Sequence, residues 1–139
     1  MLDHFIAAQQ PVYAQALAEL RAGRKQSHWM WFIFPQIAGL GHSPMARRFA
    51  LPDLATAQAY VAHPVLGPRL IACTEAVLSH APGTPKPRAL TAILGSPDDL
   101  KFHSSMTLFH QAAPDEPWFS RALEAFWGGR LDEATLERL

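Results

Sequence analysis

The chain has few of the features that mark secreted, membrane-spanning or metal-dependent proteins. It contains one cysteine, Cys73, so no internal disulfide can form, which fits a reducing compartment. Its longest apolar run is far shorter than the ~20 residues that a membrane span requires. Its first residues, Met1-Leu2-Asp3-His4, lack the basic and apolar regions of a signal peptide. We therefore predict a soluble cytoplasmic protein with no membrane partner.

The chain also lacks an excess of charge of either sign. Twelve Lys and Arg residues balance twelve Asp and Glu residues, whereas nucleic-acid and membrane-surface binders usually carry a basic excess. The sequence thus argues against nucleic acid as a partner. With 49% hydrophobic and 17% charged residues, the 139-residue chain has enough apolar side chains for one core, and we predict one domain covering residues 1–139.

Motifs that name a reaction are absent. None of the seven histidines forms an H-x-x-x-H or H-E-x-x-H pattern, and there is no cysteine pair, so we predict no metal site. The dinucleotide-binding G-x-G-x-x-G, the Walker phosphate loop and the G-x-S-x-G nucleophile turn are missing as well. We accordingly expect no cofactor.

Proline and glycine, by contrast, are abundant, with twelve and eight residues, and most of them mark helix ends. Period-two alternation and Asn-Gly or Asp-Gly turns between apolar runs are absent, which argues against hairpins. The predicted fold is all-α, a single compact domain of about seven or eight short helices. The predicted helices run from Pro11 to Gly23, from Ser43-Pro44 over a short stretch, from Asp53 to Ala62, from His63-Pro64 to His80, from Pro87 to Leu94, from Pro97 to Ala113, from Pro117 to Gly128, and briefly after Asp132.

The helix predicted from Pro97 has the strongest start signal in the chain. Ser96 can accept a hydrogen bond from the amide of Asp99 while the Asp99 side chain reaches back, an acidic variant of the capping box. Lys101 falls between two apolar strips of this helix. An ammonium group there must extend to water, pair with an acid or bind an anion, so Lys101 is either a structural ion-pair partner or a binding or catalytic residue.

A helical projection at 100° per residue divides the rest of this helix into faces. The two apolar strips are Phe102, Met106 and Phe109, and Leu100 and Leu108. The arc predicted to face solvent is His103, Thr107 and His110. Ser104 and Ser105 suit close helix packing, and Ser104 is also a candidate ligand-binding residue.

Residues 27–36 form a dense aromatic run with no polar face as either helix or strand. The run is therefore either enclosed on all sides or offered in part to a partner. Trp29 and Trp31 suit the core or, alternatively, a stacking wall for a nucleobase or sugar. His28 is either a hydrogen-bonded structural histidine or a general acid or base. Gln36 either caps a turn or holds a substrate.

Three further sites have both a structural and a functional interpretation. Arg24 and Lys25 follow a predicted helix end, where they either complement the helix dipole or bind an anion. The loop 39–43 has two glycines that could let backbone amides approach an anion. Cys73 lies on a predicted core stripe and is predicted to be a buried, inert thiol rather than a nucleophile.

Six segments carry a resemblance to a known family. They are Ala22-Gly23-Arg24-Lys25, residues 27–36, residues 39–41, residues 63–70, residues 97–102 and residues 104–109. Through them nearly the whole chain resembles the bacterial domain-of-unknown-function 1810 family. The resemblance implies a mainly helical fold and no particular activity, because the family is uncharacterised. Some members are labelled calpastatin, which does not suit a chain with an apolar core, because calpastatins are disordered inhibitors.

Two classes of function follow from these residues. The first is a pocket between segment 27–36 and helix 97–112 that binds a small anionic or nucleotide-like ligand. Its predicted catalytic residues are His28 and Lys101, and its predicted ligand-binding residues are Arg24, Lys25, Trp29, Trp31, Gln36 and Ser104. The alternative is a non-enzymatic helical protein-interaction or assembly module, which would use the aromatic run or the Trp118–Trp127 region as its contact. The oligomeric state is not predicted.

For the pocket, the reaction considered is hydrolysis of an N-glycosidic bond. The chain is similar in size and helical class to the ADP-ribose-linked YbiA-like proteins, and it contains Phe126-Trp127-Gly128-Gly129. The two glycines of that segment can equally well mark the C-terminal end of a helix.

Overall fold

The computed structural model describes all residues from 1 to 139, and its regular elements are all helices. Its ten helices are α1 (Asp3–Gln9), α2 (Tyr13–Ala22), α3 (Met30–Ile33), α4 (Pro44–Arg48), α5 (Leu54–Ala62), α6 (Leu66–Leu78), α7 (Leu90–Leu94), α8 (Asp98–Ala112), α9 (Pro117–Trp127) and α10 (Glu133–Leu136). The predicted all-α class is confirmed, whereas the predicted number of seven or eight helices is too low. None of the ten helices has the length and apolar character needed to cross a membrane.

Several helices begin or end at the capping residues and glycines that predicted them. Asp53 caps α5, because its carboxylate accepts from the amide of Thr56 at 2.8 Å. The Ser43 hydroxyl caps α4 by accepting from the Ala46 amide at 3.1 Å. Gly128 ends α9 in the left-handed region, with φ of 61°.

Other helix starts differ from the prediction. Helices α2, α6 and α7 begin at Tyr13, Leu66 and Leu90, two or three residues after the prolines expected to open them. Pro11 and Pro64 lie in the preceding turns, and Pro87 lies in an extended connection. The capping box at the start of α8 is absent. Neither Ser96 nor the Asp99 side chain caps the helix, and the Asp99 amide donates instead to the carbonyl of Gly95 at 2.9 Å.

Helix α1 was not predicted, although Pro11 follows its C-cap residue, because that proline was assigned to the start of the next helix. Packing holds it in place. Phe5 is buried edge-on against Tyr60, with ring centroids 5.2 Å apart. The buried amide of Gln9 donates to the Phe32 carbonyl at 2.7 Å and to the Tyr60 hydroxyl at 3.0 Å. This polar network joins α1 to α3 and α5.

One continuous core of 28 buried apolar side chains runs through the molecule, and α8 lies at its centre in contact with α5, α7, α9 and α10. The predicted strip of Phe102, Met106 and Phe109 is buried as expected, and so is Cys73. Burial raises the pKa of the Cys73 thiol to about 12, which disfavours the thiolate form that a nucleophile requires.

The solvated arc predicted for α8 is wrong for Thr107, while His103 and His110 are half-buried. Thr107 is fully buried and accepts a hydrogen bond from the amide of Asp132 at 3.0 Å. The His103 ring stacks on Trp127 with centroids 4.1 Å apart. Leu100, predicted to belong to an apolar strip, is instead 60% exposed.

Candidate functional site

The aromatic run lies directly beside α8. Phe34 packs edge-on against Phe102 of α8, with ring centroids 4.8 Å apart. Most of the run is buried, including Trp29, which is 1% exposed, while Trp31 remains half-buried. The run therefore belongs to the core, and Trp31 is the large side chain that it leaves accessible.

The loop between Ile37 and Leu51, whose two ends are paired with each other, forms the wall opposite α8. A parallel bridge joins Ile37 to Leu51. The amide of Leu51 donates to the Gln36 carbonyl at 2.9 Å, and the amide of Ala38 donates to the Leu51 carbonyl at 2.8 Å. The pairing closes the intervening segment, with α4 inside it, into a compact flap against the aromatic run.

Between these parts lies a cavity of about 230 Å³, here called the aromatic cavity. Its lining residues are Met30, Trp31, Phe34, Gln36, Ile37, Gly41, His42, Ser43, Ala46, Phe49, Ala50 and Lys101. Most are apolar, and the polar side chains among them are Gln36, His42, Ser43 and Lys101. A mainly apolar wall with a few convergent polar groups is the usual composition of a small-molecule site.

A second, more open cavity of about 260 Å³, here called the polar cavity, adjoins the first. Its lining residues are Gln36, Leu40, Gly41, Pro97, Leu100, Lys101, Ser104, Asp132 and Ala134. Leu100, Lys101 and Ser104 of α8 recur at helical spacing and so present one face of that helix, and Pro97 lies at its N-cap. Gln36, Gly41 and Lys101 line both cavities, so these three residues form the boundary between them.

Lys101 is the cation at this boundary. Its Nζ lies 5.6 Å from the centre of the Trp31 ring and 3.5 Å from Oδ1 of Asp98, and its side chain is 32% exposed. The ammonium group is thus held over an indole face by a cation–π contact while it stays accessible. Lys101 pairs with an acid, as its structural interpretation predicted, and it also lines both cavities, while its role in binding or catalysis stays a prediction.

Asp98 is shared between two lysines. Lys25 Nζ lies 3.1 Å from its Oδ2, closer than Lys101, and the Lys25 side chain is only 10% exposed. Lys25 also lies over the ring of Trp29, 5.2 Å from its centre. One carboxylate therefore faces two ammonium groups, so the cluster carries a net positive charge, and Lys101 is its accessible member.

Glu19 of α2 fixes the segment that leads into the aromatic run. Its carboxylate accepts from the amides of Gln26 and Ser27, at 2.8 and 3.0 Å, and from the Trp29 indole at 3.0 Å. Burial alone would raise the pKa of Glu19, but these hydrogen bonds and one from the Ser27 hydroxyl outweigh it and lower the pKa to about 2. The carboxylate is structural and holds Trp29 in the core.

In the polar cavity, Asp132 is fixed by two hydroxyl groups. Ser104 donates to its Oδ2 at 2.7 Å, and Thr135 donates to the same oxygen at 2.6 Å. Asp132 stands at the N-terminal boundary of α10, but it accepts the Thr135 hydroxyl rather than a backbone amide. Its other carboxylate oxygen, Oδ1, accepts no hydrogen bond from the protein.

The residues predicted to form the site fall into three groups. Trp31, Gln36 and Lys101 line the aromatic cavity, and Ser104 joins the last two in the polar cavity. Trp29 and Lys25 lie behind the cavities in the ion-pair and indole cluster. Arg24 and His28 are exposed and line neither cavity.

Sequence analysis did not single out three residues of this region. His42 was recognised only as part of the loop 39–43, yet it contributes an imidazole to the aromatic cavity. Asp98 and Asp132 were read only as helix-start residues. An acid three positions before Lys101 on a helix is a recognisable pairing signal, whereas nothing local links Asp132 to Ser104.

Comparison with known proteins gives a family and a fold. The family described as "Protein of unknown function (DUF1810)" matches residues 1–139. The chain is similar to the crystal structure, at 1.38 Å, of the conserved hypothetical protein Rv1873 from Mycobacterium tuberculosis. The two are 48% identical over 99% of this chain and 95% of that chain, with a TM-score of 0.92. No curated protein matches this chain significantly.

Proposed function

The chain belongs to the DUF1810 family of proteins of unknown function, as its motifs indicated, and from its own geometry we propose that it binds a small ligand in the aromatic cavity. The ligand combines a flat ring with an anionic group, as nucleotide-like molecules do. The observation that carries the proposal is the position of Lys101, an accessible ammonium group over the Trp31 indole at the boundary of two cavities.

The charge around Lys101 favours an anion. Asp98 neutralises one lysine of the cluster and lies closer to Lys25 than to Lys101, so the donors of Lys101 are only partly used. A charge-assisted hydrogen bond to a ligand anion contributes about 1.5–3 kcal/mol. Gln36 adds an amide that can both donate and accept at the same boundary.

The shape and lining favour a flat group. Trp31, Phe34 and Phe49 contribute aromatic walls to the aromatic cavity. Rings prefer offset or edge contacts with such walls, which add about 0.5–1.5 kcal/mol to the burial of apolar area. At about 230 Å³ the aromatic cavity is smaller than the ~300 Å³ of typical small-molecule sites, which suits one ring system.

Hydrolysis of an N-glycosidic bond remains the reaction proposed for such a ligand, with a different acid or base. His28 lies outside both cavities, so the imidazole that a ligand in the aromatic cavity would meet is that of His42. A proton donor must lie within hydrogen-bond reach of the leaving group. His42 lines the aromatic cavity, which is the first requirement for such a contact.

The interaction-module alternative loses one of its two candidate surfaces, the aromatic run, whereas Trp118 and Trp127 of the second remain half-buried. The aromatic run is buried apart from Trp31, and the exposed large apolar side chains are scattered at Met1, Met45, Leu100 and Leu139. Scattered single side chains do not make the contiguous patch that marks a contact surface.

The proposal is tested by titrating the protein with adenosine 5′-monophosphate in a calorimeter, with Lys101→Met as the variant. The variant keeps the length of the side chain and removes the charge, so we expect affinity to fall tenfold or more. Lys86→Met is the matched control, because Lys86 is exposed in the loop before α7. Absence of binding, or equal binding by wild type and Lys101→Met, would show the proposal to be wrong. Release of free adenine in the same mixture, measured by chromatography, tests the hydrolysis separately.

A further inference from the structure

We propose that the polar cavity is a subsite for neighbouring hydroxyl groups, of the kind a pentose carries, on the same ligand whose ring occupies the aromatic cavity. This inference rests on the proposed function and extends it from the aromatic cavity to its neighbour. The ligand class that it names is a nucleoside monophosphate or a close relative with a hydroxylated ring.

Asp132 supplies the main recognition element. Two hydroxyl donors, Ser104 and Thr135, converge on its Oδ2, and its backbone amide donates to Thr107. The carboxylate is therefore held in one orientation, while Oδ1 has no protein donor in a cavity that is open to solvent. A fixed carboxylate oxygen with free lone pairs accepts strongly from hydroxyl groups.

The rest of the cavity matches groups that both donate and accept. Ser104 uses its single hydrogen on Asp132, which leaves its oxygen able to accept. The positively charged ammonium group of Lys101 offers hydrogen-bond donors at the boundary. Hydroxyl groups fit this mixed set, whereas a phosphate in contact with Asp132 would be repelled. The anionic group of the ligand is therefore expected at Lys101 and the hydroxyl groups at Asp132.

The two cavities adjoin along a boundary to which Gly41 contributes. Gly41 lines both cavities without a side chain. A Cβ at that position would come within 2.6 Å of the Ala46 Cβ, so the loop can lie this close to α4 only as glycine. Each cavity alone is smaller than the ~300 Å³ at which small-molecule sites begin, and the two together fall within the usual range.

The experiment compares two probes on the full chain, adenosine 5′-monophosphate and its 2′,3′-dideoxy analogue, by calorimetry. We expect the wild type to bind the hydroxylated probe at least tenfold more tightly. Asp132→Asn keeps one carbonyl oxygen for Ser104 and Thr135 and should reduce this ratio to about one, with little change for the dideoxy probe. Asp115→Asn, at an exposed loop position, is the control and should keep the wild-type ratio.

The outcomes separate this inference from the proposed function. Equal binding of the two probes by the wild type overturns the hydroxyl subsite and leaves the aromatic cavity supported. No binding of either probe overturns both. If Asp132→Asn still prefers the hydroxylated probe as the wild type does, residues other than Asp132 bind the hydroxyl groups, and the inference is wrong. If Asp132→Asn fails to fold, Ser104→Ala, which leaves Asp132 bonded to Thr135, must lower the ratio for the inference to stand.

Discussion

Lys25 and Asp98 connect the two parts of the chain that enclose the cavities. Their charged atoms lie 3.1 Å apart, and both side chains are largely shielded, with 10% and 19% exposed. The pair ties the segment before the aromatic run to the first turn of α8. It also keeps the Asp98 carboxylate on Lys25, which leaves Lys101, 3.5 Å from the other oxygen, less engaged.

Asp98→Asn is expected to change stability and anion affinity in opposite directions. The shielded ammonium group of Lys25 loses its counter-charge, so the free energy of unfolding should fall by about 2 kcal/mol. Lys101 loses its competitor, so adenosine 5′-monophosphate should bind severalfold more tightly. Urea denaturation and calorimetry measure the two effects, with Asp115→Asn as the control. Weaker binding by a folded Asp98→Asn protein would contradict the assigned role of Asp98.

Glu19→Ala is expected to destabilise the fold strongly. The change removes one acceptor that serves the Gln26 amide, the Ser27 amide and the Trp29 indole, and it leaves these donors without a partner. Unpaired buried donors cost about 1–3 kcal/mol each where water does not reach them, so we expect a loss of about 3 kcal/mol in urea denaturation. Glu75→Ala on the exposed face of α6 is the control. A loss no larger than that of the control would show that water replaces Glu19 at these donors.

The lowered pKa of Glu19 predicts how the stability of the fold responds to acid. The pKa of this carboxylate is about 2 in the folded state against an ordinary value of 4.5. The unfolded chain therefore takes up the proton first, and the stabilisation present above about pH 5 is lost as the pH falls toward 2. The stability difference between wild type and Glu19→Gln should shrink by about 1–2 kcal/mol from pH 6 to pH 3. A difference that stays constant over this range would contradict the lowered pKa.

Gly67→Ala is expected to disturb the junction of α5 and α6. A Cβ on Gly67 would overlap the carbonyl oxygen of Val61, which belongs to the backbone of α5 and cannot turn aside. We expect a loss of about 3 kcal/mol in thermal or urea unfolding. Gly83→Ala is the control, because Gly83 has a φ of 89° but no atom within 4 Å of the added Cβ. Its strain of about 1 kcal/mol should be clearly smaller, and a reversed order would contradict the close approach at Gly67.

Local sequence signals predicted several helix ends, missed the starts of α2, α6 and α7 and the cap of α8, and did not reveal the surroundings of the helices. Asp53, Ser43 and Gly128 act on atoms a few residues away, so their roles can be read without a structure. Helix α1 ends just before Pro11, but its anchor, Gln9, bonds to residues more than twenty positions distant. Its existence depends on tertiary contacts that periodicity does not record.

The same distinction applies to the candidate site. Lys101 stood out because its apolar neighbours are on the same helix, and Trp31 and Gln36 because the aromatic run is so dense. His28 was chosen over His42 because it adjoins that run, but the bridge between Ile37 and Leu51 brings the later loop to the cavity instead. Thr107 of α8, predicted to face water, is buried instead, which no property of the α8 sequence reveals.

The dependence of the polar cavity on Asp132 and Ala134 has a consequence for a shortened chain. The residues that line the aromatic cavity come no later than Lys101, whereas Asp132 and Ala134 lie at the start of α10. A chain shortened before residue 131 would therefore lack the carboxylate of the polar cavity while it keeps every residue that lines the aromatic cavity.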